Sequence, residues 1–198
     1  MGKAVHVLGE EYQLFYTLDL QKDKKMAWKV NLLAVLIAVL LVVPMHFLVP
    51  ITTLFDMEKG LGAYGIRFLC LMVFSVLYIV LHELVHGAAM KLCGTKKVKF
   101  GFTGLYAFAG SDDYYDKRAY LFIALAPVVL WGLVLAVVNL FVPESWFWVV
   151  YLIQITNLSG AAGDLLVTVK FSRFPRDILI TDCGVGMKVY QKQDAKIS

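Results

Sequence analysis

Residues 77–92 read LYIVLHELVHGAAMKL, and they set two histidines and a glutamate inside a run that otherwise suits lipid. The run closes a longer apolar stretch, about 65–92. Crossing a hydrocarbon core of about 30 Å takes roughly 20 residues of helix, so this stretch is long enough to span one. Working outward, three more stretches qualify: about 30–51, 119–142 and 146–169. Pro44 and Pro127 fall inside the first and third, where a proline kinks a helix or marks a place at which neighbours satisfy the freed carbonyls.

Composition agrees with a bilayer as the solvent. The 198 residues are 60% hydrophobic and 17% charged, with a mean hydropathy of +0.70, more apolar surface than a soluble domain can bury. The net charge is +4 and the pI near 8.9. The basic residues stand at the ends of apolar runs instead of forming one patch, which argues against a nucleic-acid partner and makes them topology signals. Lys22, Lys24, Lys25 and Lys29 precede the first span, Lys91, Lys96, Lys97, Lys99, Lys117 and Arg118 lie between the second and third, and Lys170, Arg173 and Arg176 follow the fourth. The alternate loops carry chiefly Lys59, with Arg67 at the outer start of the second span. The positive-inside rule therefore places both termini in the cytoplasm. Residues 1–16 lack the short apolar core and cleavage site of a signal peptide, so the first span is the expected insertion signal. Cys70, Cys93 and Cys183 offer neither a disulfide framework nor a thiolate zinc site. With no repeat and no low-complexity linker, one domain over 1–198 is expected.

The expected fold is an all-α polytopic membrane protein with four transmembrane helices and short cytoplasmic strand and hairpin elements. YQLFYTLDL, residues 12–20, puts Tyr12, Leu14, Tyr16, Leu18 and Leu20 on one face at period two. ILITDCGVGMKVY, residues 178–190, reads as two short strands around Cys183 and Gly184. VKFGFTGLYAF, residues 98–108, puts Phe100, Phe102, Tyr106 and Phe108 at one parity with Gly104 between them, a hairpin whose aromatic face suits the lipid interface.

Residues 82–86, HELVH, place His82 and His86 about 40° apart, one above the other on a helix, with Glu83 to their side. Two imidazoles so placed bind one zinc ion, and the glutamate serves as general base for an activated water. The bland alternative makes both histidines neutral core groups hydrogen-bonded to neighbouring helices. Against it, each ionisable group deep in a bilayer helix costs roughly 2.5–3.5 kcal/mol, and three within five residues call for a compensating partner.

Catalytic zinc takes three protein ligands, so a third is needed. The only acid of the fourth span is Asp164. His86 lies five residues before Lys91 and Asp164 six before Lys170, roughly 7–9 Å of helix in each case, so the ligands arrive at one depth. Asn157, Gly160, Ala161 and Asp164 share a helix face, and SGAAG, residues 159–163, permits close helix packing. Asn157 is read as a substrate-binding residue that bonds a substrate carbonyl or the developing oxyanion, with the joining of helices as the alternative. Asp112 and Asp113 read as solvated loop charges, His46 as an interfacial residue, and His6, Asp177 and Asp182 as ordinary cytoplasmic residues. Tyr78 faces the same side as His82 and reads as packing.

LHELVHG, the hairpin with ALAP beyond it, and NLSGAAGD together resemble the zincin-type membrane peptidases of bacteria, a group that is similar to the site-2 proteases. The resemblance implies a zinc site of His82, His86 and Asp164, with Glu83 activating water, in the inner membrane. The chain departs from the site-2 pattern, in which the aspartate sits in L-D-G preceded by prolines; here Gly163 precedes Asp164 and Leu165 follows it. The expected function is hydrolysis of peptide bonds in membrane or membrane-associated proteins, with Phe100 and Phe102 helping to hold an unwound substrate and the bilayer as surroundings. The alternatives are a noncatalytic zinc-binding sensor, scaffold or transporter, and a hydrolase of a non-peptide amide or ester.

Overall fold

The computed structural model describes residues 2–19, 22–104, 106–184 and 186–193. Among them are five α-helices: α1 (Lys24–Leu48), α2 (Gly60–Leu92), α3 (Lys117–Phe141), α4 (Glu144–Gly160) and α5 (Ala162–Ser172), with a 3-10 turn at Ile51–Phe55. Counting 144–172 as one stretch, four are long and apolar enough to cross a membrane. Their starts follow local chemistry. The Asp23 carboxylate accepts the Met26 N–H at 3.0 Å and the Asp116 carboxylate accepts the Ala119 N–H at 2.8 Å, capping α1 and α3.

The all-α expectation is overturned, because the described chain is mixed α/β. Seven strands form two antiparallel sheets: β1 (Ala4–Val5), β2 (Tyr12–Leu18), β5 (Tyr114–Asp116), β6 (Ile178–Asp182) and β7 (Met187–Lys192) in the order β1-β5-β6-β7-β2, and β3 (Lys99–Phe102) with β4 (Ala107–Gly110). Segments 12–20 and 178–190 pair with one another and with two shorter strands in one sheet. The pairing spans long stretches of sequence, Ala4 with Tyr115 and Tyr16 with Val189, and one sheet face becomes a core row of Tyr115, Ile180 and Val189. Two- and three-residue strands such as β1 and β5 are too short to show a period on their own.

Two face assignments change as well. In β2, Leu14 pairs with Tyr190 and Tyr16 with Val189, so Phe15 is a bulged residue. The extra residue turns Tyr16 and Leu18 to the core face and leaves Leu14 more than half exposed on the other. Leu20, the last member of the expected row, lies outside the described residues. In the hairpin, Phe100 pairs with Ala109 and Phe102 with Ala107, whereas Phe108 opposes Gly101. The aromatics therefore divide between the two faces.

The chain forms two compact units, one from residues 1–28, 83–126 and 164–198 and the other from 29–82 and 127–163. All four boundaries fall within helices: between Trp28 and Lys29 in α1, His82 and Glu83 in α2, Ala126 and Pro127 in α3, and Gly163 and Asp164 in α5. The first unit contains both sheets and a core of Met90, Tyr115, Tyr120, Ile123, Phe171, Ile180 and Val189. The second has a smaller core around Leu54, Trp148, Val149 and Ile155. In it the Trp148 indole N–H donates to Val49 and Pro50 carbonyls at 3.0 and 3.2 Å, satisfying acceptors at the end of α1. Arg67 is buried and donates to the Asp56 and Ser145 carbonyls.

Candidate metal centre

His82 and Glu83 are adjacent on α2 with His86 one turn further on, and both histidines are 8% exposed. Asp164 comes from the start of α5. The helical run from Glu144 is interrupted at Ala161, whose φ of −82° and ψ of 16° leave α-helical geometry, and α5 restarts at the next residue. No proline is needed for this break. Asp164 then falls in the first turn of α5, where unpaired N–H groups and the helix dipole favour a negative charge.

The Asp164 Oδ1 lies 3.7 Å from the His86 Nε2, and the ligand atoms of His82, His86 and Asp164 all lie within 4.8 Å of one another. Ligand atoms around a tetrahedral zinc with bonds of about 2.0–2.1 Å stand about 3.3 Å apart, so small side-chain rotations close the set. Two imidazoles and a carboxylate are also the donor types that zinc prefers at a catalytic centre, with a fourth position left open. The residues fit the metal that the motif implies.

Hydrogen bonds settle which nitrogen each histidine presents. The Asn157 Nδ2 donates to the Val128 carbonyl at 3.1 Å, so its Oδ1 faces Tyr78 and accepts the Tyr78 O–H at 2.9 Å. The tyrosine's only proton is spent there. At 2.7 Å from the His82 Nδ1 its oxygen can then only accept, which puts the His82 proton on Nδ1 and leaves Nε2 as a lone pair. The His86 Nδ1 stands 2.9 Å from the Ile123 carbonyl, an acceptor, so it too carries its proton on Nδ1. Both rings offer Nε2. Such outer hydrogen bonds orient metal-binding histidines and raise their basicity.

The Ala109 backbone N–H of β4 faces the Glu83 carboxylate. Phe100 lies against α2 one residue past His86, where a Cβ on Gly87 would come within 2.5 Å of its ring tip. Phe102 is 71% exposed. Asn157 is fully buried, and its bonds to Tyr78 and Val128 are of the helix-joining kind. Tyr78 was legible only as packing, because its contribution depends on a partner 79 residues away.

The remaining polar residues lie as follows. Asp112 pairs with Lys99 at 2.6 Å and Asp113 with His6 at 2.8 Å. The His46 Nδ1 accepts the Ile51 N–H at 3.1 Å just past α1, and Asp177 is exposed. Asp182 differs from the expected surface residue: its carboxylate accepts the Tyr120 O–H at 2.9 Å and the Gly184 N–H at 2.8 Å. Burial is the largest influence on it and pushes its pKa up to about 6.

Residues 75–179, more than half of the chain, match the pattern of a family described as "Putative zincin peptidase". Over 118 residues the chain is 30% identical to an "Uncharacterized 24.7 kDa protein in gap 5'region" of Pyrococcus woesei, covering 57% of this chain and 51% of that protein. The chain thus spans about half the length of this curated relative. No solved structure matches it.

Proposed function

The chain belongs to this zincin peptidase family, and from that premise we propose that it is an integral membrane zinc metallopeptidase that cuts membrane or membrane-associated proteins. The observation that carries the reading is the convergence of His82, His86 and Asp164 with Glu83 beside them. The likeness to site-2 proteases rests on the helix that bears HELVH, which is apolar enough to span a bilayer, and on a third ligand from a later apolar helix. Leu40, Leu61, Leu69, Leu133 and Leu140 are each at least 63% exposed on these helices, which lipid tolerates and water does not. In this reading both termini face the cytoplasm of a multi-pass inner-membrane protein, following the loop lysines.

His82, His86 and Asp164 would hold the ion, and zinc so held supplies Lewis acidity that polarises the scissile carbonyl and acidifies the attacking water. Glu83 takes the proton of that water and hands it to the leaving amine as the peptide bond breaks. Tyr78 and Asn157 act at one remove, holding the His82 ring. A helical substrate hides its carbonyls in its own hydrogen bonds and must unwind. The outer edge of β3, which pairs only with β4 among the described strands, is suited to accept the unwound stretch as an added strand, with Phe100 and Phe102 flanking it.

Metal analysis and cleavage of a membrane substrate test the proposal together. Wild type and Glu83→Gln are expected to carry one zinc per chain, His86→Ala none, and wild type alone to cleave. Cellular function that survives Glu83→Gln would instead favour the zinc-binding sensor, scaffold or transporter. A proline at Phe102 should slow cleavage of a helical substrate; if it spares that substrate, the added-strand route is wrong.

A further inference from the structure

Pro127 is fully buried within α3, a helix that continues to Phe141. Proline has no N–H, so the helix carbonyl four residues earlier loses its donor. Four residues before Pro127 is Ile123, whose carbonyl accepts the His86 Nδ1 proton at 2.9 Å. Any other residue at position 127 would supply an N–H aimed along the helix at this same oxygen. The imidazole would then compete with the backbone for its anchor.

We propose that Pro127 is a positioning residue for the metal centre: by withholding an N–H from the Ile123 carbonyl it reserves that oxygen for His86, and so holds the ring with its proton on Nδ1 and Nε2 turned toward Asp164. The role for metal affinity rests on the zinc-site reading, while the tautomer does not. Burial matters here, because a carbonyl facing water would find another donor, whereas Ile123 is 2% exposed. Proline within a helix ordinarily weakens it, and this one stands where the freed acceptor is used. Pro44 of α1 provides an internal control, since no residue of the centre lies on that helix.

The test compares full-length wild type, Pro127→Ala and Pro44→Ala in detergent or nanodiscs, using three measurements. Side-chain 15N spectra of the metal-free protein, at a pH where the ring is neutral, should show His86 protonated at Nδ1 in wild type and Pro44→Ala, and shifted toward Nε2–H in Pro127→Ala. Zinc affinity by chelator competition should fall about 10–100-fold in Pro127→Ala alone, the usual effect of losing an outer hydrogen bond to a ligand. Thermal midpoints of the metal-free proteins should not fall, since alanine restores a helix hydrogen bond. An unchanged His86 tautomer in Pro127→Ala, or an affinity loss that tracks a lower midpoint, overturns the proposal. Wild type that binds no zinc, with the tautomer shift still present in Pro127→Ala, would sink the metal reading and leave this one standing.

Discussion

His82 and His86 stand one turn apart on the same helix, present the same nitrogen, and are held by different means. His82 is held by side chains, through the Tyr78 hydroxyl and the Asn157 amide. His86 is held by the backbone, through a carbonyl that Pro127 releases. A side-chain relay has a direction, set by which atom can only accept, and one substitution can reverse it. A backbone acceptor cannot be reversed and can only be competed for. The same Nε2 lone pair is thus guarded in two ways with different failure modes.

Removing the ligand that both histidines share has the largest expected effect: Asp164→Ala should leave no zinc after gel filtration. Next comes Asn157→Leu, which deletes the acceptor of the Tyr78 proton and lets that hydroxyl donate to the His82 Nδ1. The ring proton must then move to Nε2, so zinc affinity should fall toward the 100-fold end of the range for outer-shell changes, although Asn157 touches no metal. Tyr78→Phe removes the anchor without reversing it, and about 10-fold is expected. The double variant should be no worse than Tyr78→Phe, a non-additivity readable by chelator competition. If the two losses simply add, the relay is not directional.

Gly184→Ala probes the unit that contains His86 without touching either tautomer. Gly184 has a φ of +88°, and an added Cβ would come within 1.9 Å of the Phe108 ring, so a stability loss of about 1–3 kcal/mol by denaturant titration is expected. The smallest effect is the pH dependence carried by Asp182. Burial raises its pKa from 3.8 to about 6, so between about pH 4 and 6 the native protein binds more protons than the unfolded chain. This group's contribution is therefore full below that window and lost as pH rises through it. Asp182→Asn should flatten the stability profile there.

How much was legible varied with the range of the interaction. HELVH declared itself because its two imidazoles and carboxylate lie within about one helical turn. Asp164 was picked out as the only acid of the fourth span, and its six residues to Lys170 nearly match the five from His86 to Lys91. The helix break before Asp164 was not legible, because SGAAG contains no proline and small residues are equally at home in a continuous packed helix. The strands around Cys183 and Gly184 were visible as alternation, whereas the Phe15 bulge, which turns Tyr16 toward the core, was set by its partner strand. Asp182 resembled any loop aspartate until Tyr120, 62 residues away in sequence, closed on it.

By itself the sequence determined the apolar helices and where polar groups interrupt them, because hydropathy and helical periodicity are local properties of consecutive residues. Only the tertiary structure decided that segments 12–20 and 178–190 join two very short strands in one five-stranded sheet, and which nitrogen each histidine presents. Both depend on pairing partners that are distant along the chain, a strand more than 100 residues away or a carbonyl released by a proline in another helix. No local pattern encodes such a partner until the chain has folded.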